Sequence, residues 1–455
     1  MVARVLVPFD GDGAGVGELT WGQRGLWTSM QRTGTSLTLS GAQRLPPGTT
    51  VPLVVAGLRF VLNRHQSLRT RLRFTADGSP RQELVSSGEL PLELIEAGDG
   101  DPDALAERVR DRYEHTVFDY ANEFPIRMAL LHTDNVPSHV VVAYCHLALD
   151  AFGLEALLAD QATMDIRTGL ATVPVTGVQP LELARRQAEP ATLRQCDASL
   201  RYLERLLRQM PARRFGGGGD PRQPRYWQVG FNSPAALLAA QVVAARNRVG
   251  TGPVLLAAAS MAVARATGSD PVVLQVLVNN RFRPGFATAV TPLTQSGVCL
   301  VPVGGAGLDE VIAVAARAST RAAKNAYYDP YRSDELIAAV GRERGEEIEL
   351  SVFFNDRRSQ VGLPPPDRLP GRAEIEAALP RGTLRWERPL DRFDHALFIH
   401  VNDVPDAVDV LVCADTHQVG PADMEALVRG VEAVLVESAA GPAVVAGTRT
   451  VPAPA

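Results

Sequence analysis

The chain reads as an α/β (α+β) protein folded in two halves. Its 455 residues are more than one ordinary core accommodates. Helical and strand-like apolar spacings alternate along its whole length. An irregular stretch with two prolines, residues 171–180, interrupts the pattern and marks the boundary. The expected division is therefore an N-terminal half over residues 1–178 and a C-terminal half over 179–455. Hydrophobic residues make up 45% and charged residues 21%, which supplies ample apolar surface for a sizeable core.

The elements follow in order. The opening MVARVLVPFDGDG is a short apolar run ended by Asp and Gly, and reads as a first strand. Thr20 to Met30 starts with an N-cap and forms a helix with Leu26 and Trp27 on its apolar side. Residues 52–64 have helical spacing and run into a basic turn. After a strand-rich stretch, Pro102 to Tyr113 forms an amphipathic helix. Ile126 to His132 and His139 to Tyr144 are strands, the second with a VVVAY core suited to cover on both faces. A loop over Cys145 to Ala151 leads into a helix from Phe152 to about Met164.

In the second half, a long Arg-rich helix near residues 190–210 precedes RRFGGGGDPRQPR. The four glycines lack the GKS or GKT of a phosphate cradle and read as a surface loop. Helices are expected near 233–246, 254–267, 309–324 and 421–439. Strands are expected at 272–278, 298–303, 349–354, 383–387, 396–402 and 407–413. Tyr327, Tyr328 and Tyr331 read as packing residues, and the tail beyond Gly441 as loosely held.

Charge and composition exclude several classes. A formal charge of −5 offers no field for nucleic acid or an anionic membrane. The single lysine, Lys324, among 46 basic residues makes this an arginine-rich chain without a basic block. Cys145, Cys196, Cys299 and Cys413 lie far apart, form no CxxC pair and, with no signal peptide, read as reduced thiols of a cytoplasmic protein. No apolar stretch approaches the roughly 20 residues that span a bilayer. His65, His132, His139 and His395 show no ligand spacing with carboxylates, so no metal is expected.

The segment with chemical promise is YCHLALDAFG, Tyr144 to Gly153. A His at a strand end, with an Asp four residues later before a helix, suits two tasks. His146 can receive or direct a proton at a reacting amine or hydroxyl, while Asp150 anchors the loop through an arginine elsewhere. The plainer reading makes His146 a satisfied core histidine and Asp150 a helix N-cap.

CHLALDA resembles the HHxxxDG motif of nonribosomal peptide condensation domains and of the wider chloramphenicol acetyltransferase-like superfamily. Other segments resemble that family in its order. LTWGQRGLW, Leu19 to Trp27, is similar to LSxAQxxLW, and RHQSLRTRL, Arg64 to Leu72, to RHexLRTrf. FDYANEFPIRMALL, Phe118 to Leu131, resembles FDlxxgPllRa. NNRFRP, Asn279 to Pro284, resembles the (N/G)RxRP turn, VTPLTQSGVCLVPV takes the place of vGpfvNtlplrv, and FDHALFIHVND, Phe393 to Asp403, resembles the FDltl strand.

The resemblance implies two acetyltransferase-like lobes in a V-shaped pseudo-dimer with a tunnel between them and His146 at their junction. It implies an acyltransferase of secondary metabolism that forms an amide or ester. No bound cofactor is expected. The acyl group would arrive on the phosphopantetheine arm of a carrier protein supplied in trans, or as a coenzyme A thioester, and pass to a small amine or alcohol. His146 would be the general base, or would position the nucleophile and stabilise the tetrahedral species. Asp150 would pair with Arg281, with Arg283 as the alternative partner. Cys145 replaces the first His of the motif and Ala151 its Gly; both, with Phe354 and Asn355, are expected along the tunnel. The alternative function is a non-catalytic module that recruits a tailoring enzyme or carrier protein.

Overall fold

The computed structural model describes residues 2–98, 100–211, 215, 220–358 and 368–441. The four-glycine run at residues 216–219 and the tail beyond Gly441, both read as loose, lie outside the described residues. In chain order the strands are β1 (Val2–Asp10), β2 (Gly15–Glu18), β3 (Leu39–Arg44), β4 (Thr70–Phe74), β5 (Pro80–Leu84), β6 (Ser87–Glu96), β7 (Ile126–Thr133), β8 (Val136–Tyr144), β9 (Tyr226–Ser233), β10 (Val272–Val278), β11 (Gln295–Val301), β12 (Val352–Asp356), β13 (Thr383–Trp386), β14 (Leu397–Asn402) and β15 (Val408–Asp415). The helices are α1 (Trp21–Thr33), α2 (Val51–Arg64), α3 (Pro102–His115), α4 (Ala151–Gln161), α5 (Pro180–Gln187), α6 (Pro190–Gln209), α7 (Pro234–Asn247), α8 (Thr251–Thr267), α9 (Leu308–Asn325), α10 (Pro330–Arg344), α11 (Arg372–Ala378) and α12 (Pro421–Ala440).

Two compact units result. The first comprises Met1–Leu200, Val278–Gln295 and Tyr327–Glu335, and the second Arg201–Leu277, Ser296–Ala326 and Leu336–Ala455. The cut expected between residues 178 and 179 therefore moves to Leu200, and two later segments return to the first unit. Hydrogen bonds explain the extension. Gln187 of α5 accepts from the Trp21 backbone N–H at 2.9 Å and donates to the Tyr327 hydroxyl at 3.1 Å.

The first unit has a five-stranded sheet, ordered β1-β6-β7-β8-β3, and a three-stranded sheet, β2-β5-β4. In the larger sheet β6 and β7 are parallel and the other neighbours antiparallel. Both of its faces are covered. Ile126 and Leu130 of β7 pack with Leu58 and Leu62 of α2 and Leu157 of α4, whereas Ala129 and Leu131 pack with Ala106, Val109 and Tyr113 of α3. Alternating residues of one strand thus meet different helices, which is why β7 and β8 read as nearly continuous apolar runs.

The second unit carries a seven-stranded mixed sheet, β11-β10-β12-β14-β15-β9-β13. β10, β12 and β14 are parallel, and β15, β9 and β13 continue antiparallel. Helices α7, α8 and α12 pack on one another, and α12 lies against β9 and β15. The apolar α7 and α8 bury Ala, Val and Leu side chains between neighbours. Among the described residues no single helix is long and apolar enough to cross a membrane.

Strand alternation sets two of the expected site residues on opposite faces of this sheet. Phe354 is 5% exposed and shares a sheet face with Ile399, Val410 and Phe231, and the Phe231 ring lies beneath Arg429 of α12. It belongs to the helix-covered core of the second unit. Asn355, one residue on, takes the opposite face beside His400 and is half-buried.

Candidate functional site

The site is built at the end of β8. The chain leaves the sheet after Tyr144, turns through Cys145 to Asp150, and enters α4. A loop inside a protein must account for its own backbone polar groups. Here Cys145 N–H donates to Pro125 O at 3.0 Å, His146 N–H to Ser36 O at 3.4 Å, and Ala148 N–H to Cys145 O at 2.9 Å. Gln23 of α1 donates its side-chain amide to Leu147 O at 3.2 Å. Segments distant in sequence therefore fix one six-residue loop.

Asp150 anchors the loop's far end. Its Oδ1 accepts from Gly153 N–H at 2.7 Å, which caps α4, and from Arg281 Nη2 at 2.7 Å. Its Oδ2 accepts from Arg281 Nη1 at 3.1 Å, from the backbone N–H groups of Leu293 and Thr294 at 3.0 Å each, and from the Thr294 hydroxyl at 2.7 Å. Both partners are buried, with side chains 4% and 10% exposed. Burial alone would raise this carboxyl, but the Arg281 charge and these donors outweigh it and hold Asp150 below the ordinary carboxylate value. The N-cap and ion-pair readings of Asp150 thus hold together.

Arg281, not Arg283, makes the pair. Arg283 instead donates Nε to Asn280 Oδ1 at 3.1 Å and lies over the Tyr327 ring, 4.4 Å from its centroid. The turn between them depends on Asn280, which is fully buried with a left-handed φ of 59° and donates its amide to Leu293 O at 3.0 Å. Asn tolerates that conformation better than most side chains. Its bond secures the segment whose N–H groups face Asp150.

A second brace holds the other end of α4. Arg64 donates Nε and Nη2 to the two oxygens of Asp160 at 2.7 and 2.6 Å, and His65 Nε2 lies 2.9 Å from Oδ2. Burial pushes Asp160 up, yet the Arg64 and His65 hydrogen bonds prevail and set it well below the usual range. This gives the RHQSLRTRL segment its purpose: it ties α2 to the helix that follows the loop. Asp160 carries no motif signature, because its partners lie about a hundred residues earlier.

His146 is half-buried between these anchors. Its Nδ1 lies 2.9 Å from Leu149 O. A carbonyl only accepts, so the proton of the neutral ring resides on Nδ1 and Nε2 carries the lone pair. Among the described residues Nε2 has no hydrogen-bond partner. Desolvation lowers the pKa of this imidazole, partly offset by the Asp150 charge and the bond to Leu149, so the ring is neutral at pH 7.

The two substituted motif positions are chemically quiet. Cys145 is 1% exposed, packs with Leu19, Trp27, Met30, Leu72, Phe118 and Leu147, and burial pushes its thiol up to about 12. A thiol so placed is not a nucleophile at neutral pH. Ala151 is the exposed first residue of α4 and adopts no positive φ, so its methyl introduces no backbone strain. No cluster of three or more His, Cys, Asp or Glu placed to hold a metal occurs among the described residues.

Comparison with known proteins agrees with this architecture. The sequence pattern of the condensation domain family matches residues 14–332, well over half of the chain. The chain belongs to the condensation domain family. Among curated proteins it is similar to the AMB antimetabolite synthetase AmbB of Pseudomonas aeruginosa, 29% identical over 283 residues, which is 59% of this chain and 22% of that synthetase. Among solved structures it resembles the condensation domain from the monacolin K polyketide synthase MokA, with a TM-score of 0.72 at 16% identity over 95% of this chain and 99% of that one. It also resembles the X-domain in complex with OxyB from teicoplanin biosynthesis, with a TM-score of 0.71 at 17% identity over 93% of each chain. The fold is that of condensation domains, with two chloramphenicol acetyltransferase-like lobes. The chain spans about a fifth of the curated synthetase.

Proposed function

We propose that this chain is a condensation-type acyltransferase that forms an amide or ester from a pantetheine-bound acyl thioester. The donor is carried by a carrier protein acting in trans, and the acceptor is a small amine or alcohol. One observation supports this reading above the rest: the Leu149 carbonyl holds His146 in the tautomer that leaves Nε2 unpartnered. A neutral imidazole with a free lone pair is what a general base requires.

In the proposed step the acceptor nitrogen or oxygen attacks the thioester carbonyl carbon, and Nε2 takes the proton it releases. The tetrahedral intermediate then collapses, the C–S bond breaks, and the departing sulfur takes that proton from the imidazolium. The products are the amide or ester and a free pantetheine thiol, and His146 returns to its starting form. Asp150 and Arg281 keep the loop in place and exchange no proton.

The test is mass-spectrometric. Wild type and His146→Ala are each offered a panel of acyl-pantetheine donors with amine and hydroxyl acceptors. Loss of the base is expected to slow transfer by about 10²–10⁴-fold while the variant stays folded. Equal product from both proteins removes His146 from its role. Absence of product from both across a broad panel favours recruitment of a protein partner instead.

A further inference from the structure

Gln23 does more than the cap of its own helix requires. It lies in the first turn of α1 and is 2% exposed. With Thr20 it forms a capping box. Thr20 Oγ1 accepts from the Gln23 N–H at 3.3 Å, and Gln23 Oε1 accepts from the Thr20 N–H at 2.9 Å. A glutamate would make the same two bonds and suit a helix N-terminus better. What a carboxylate cannot do is donate. Gln23 Nε2 donates to Leu147 O at 3.2 Å.

That bond falls on one particular peptide. Ala148 N–H donates to Cys145 O at 2.9 Å, closing a turn with His146 and Leu147 at its centre. The peptide joining Leu147 to Ala148 is therefore held at both ends, through its N–H by Cys145 and through its carbonyl by Gln23. It lies between His146 and Leu149, whose carbonyl accepts from His146 Nδ1. The direction in which the chain leaves the turn decides whether that carbonyl faces the ring.

Gln23 is itself firmly seated. Trp21 N–H, before it, donates to Gln187 Oε1 at 2.9 Å, and Arg24, after it, pairs with Asp329 at 2.7 Å. Gly22 lies against Pro292 O, where a Cβ would clash, an approach that only glycine permits. From the donor half of this amide we infer that Gln23 is a positioning residue for His146. Through the Leu147 carbonyl it keeps the Leu149 carbonyl on Nδ1, and so keeps the lone pair on Nε2. It touches no reacting atom. The inference rests on the reading of His146 as the base and names a side chain that sets that base.

Three variants separate this role from helix capping. Gln23→Glu keeps the capping acceptor and loses the donor. Gln23→Met keeps the side-chain length and loses both. Thr20→Ala weakens the cap and leaves the Gln23 amide in place. Nitrogen-15 spectra at pH 7 report the share of His146 rings protonated on Nε2. Both Gln23 variants are expected to raise that share about five-fold or more, since an imidazole freed from its acceptor takes either tautomer. Thr20→Ala should destabilise the chain without changing it. In transfer assays both Gln23 variants should lower kcat about ten-fold with KM unchanged. The inference is overturned if the His146 signals of a folded Gln23 variant match wild type, or if Thr20→Ala shifts them as far. Gln23→Met decides the matter if the buried carboxylate of Gln23→Glu prevents folding. The ring signals need no substrate, so a shift in a chain that transfers no acyl group would remove the base reading and leave Gln23 in its positioning role.

Discussion

His146 in the first unit and His400 on the sheet of the second are both desolvated imidazoles, and they differ in which ring nitrogen the protein occupies. Burial lowers both imidazoles, His400 further because Arg357 and His395 add positive charge nearby. In both the proton resides on Nδ1. At His146 the Nδ1–H donates to the Leu149 carbonyl, and Nε2 faces no protein partner. At His400 the Nε2 lone pair accepts from Arg357 Nη2 at 3.2 Å, the ring stacks on Phe398 at 4.1 Å, and the buried Nδ1–H has no partner. A lowered pKa therefore does not make a base. The distinction lies in which nitrogen the surroundings occupy.

The largest effect should come from removing the anchor that holds His146's loop. Asp150→Ala leaves Arg281 buried and unpaired and should cost about 3–5 kcal/mol in denaturant unfolding. Arg283→Gln, which loses contacts with the Tyr327 and Phe282 rings and with Asn280 and Gln195 but breaks no ion pair, should cost about 1 kcal/mol. Equal losses would mean that the loop does not depend on the Asp150–Arg281 pair. Next in size is Asp160→Asn, which weakens the bonds to Arg64 and His65. We expect a loss of about 1.5–3 kcal/mol, with acyl transfer slowed because α4 no longer fixes the loop.

The smallest effect separates the histidines by pH. Both folded values lie below the ordinary imidazole value, so between each and about 6.5 the unfolded chain binds more protons than the folded one. Stability is then fully present above pH 6.5 and falls as pH drops towards the folded values. His400→Phe removes one of these groups and should flatten that slope by up to about 1.4 kcal/mol per pH unit. It should leave acyl transfer within about two-fold, since the His400 lone pair is already occupied. An unchanged slope would contradict the description of His400.

Much of this was legible in the sequence, unevenly. Two α/β halves followed from the periodicities, and the ends of the strand and helix that flank Cys145 to Asp150 were read to within one residue, although their far ends were each misread by three. The division into units was not. Residues 278–295 and 327–335 rejoin the first unit through Arg281, Thr294 and Tyr327, whose partners lie more than a hundred residues away. Helix α10 was missed: Tyr327, Tyr328 and Tyr331 were read only as packing residues, and no helix was expected over 330–344. The faces taken by Phe354 and Asn355 were not legible, since alternation fixes which residues share a face but not which face is covered. Asp150 and Arg281 were recognisable as motif residues. The groups that set the His146 tautomer were not, because a backbone carbonyl such as Leu149's has no side-chain signature.

The most direct test of the central claim needs no substrate. Nitrogen-15 spectra of the histidine rings, with His146→Ala used to assign the signal, report which nitrogen of His146 carries the proton. The structure predicts a neutral ring at pH 7, protonated on Nδ1 and bare at Nε2, that titrates below 6.5. A proton on Nε2, or a doubly protonated ring at pH 7, would contradict it.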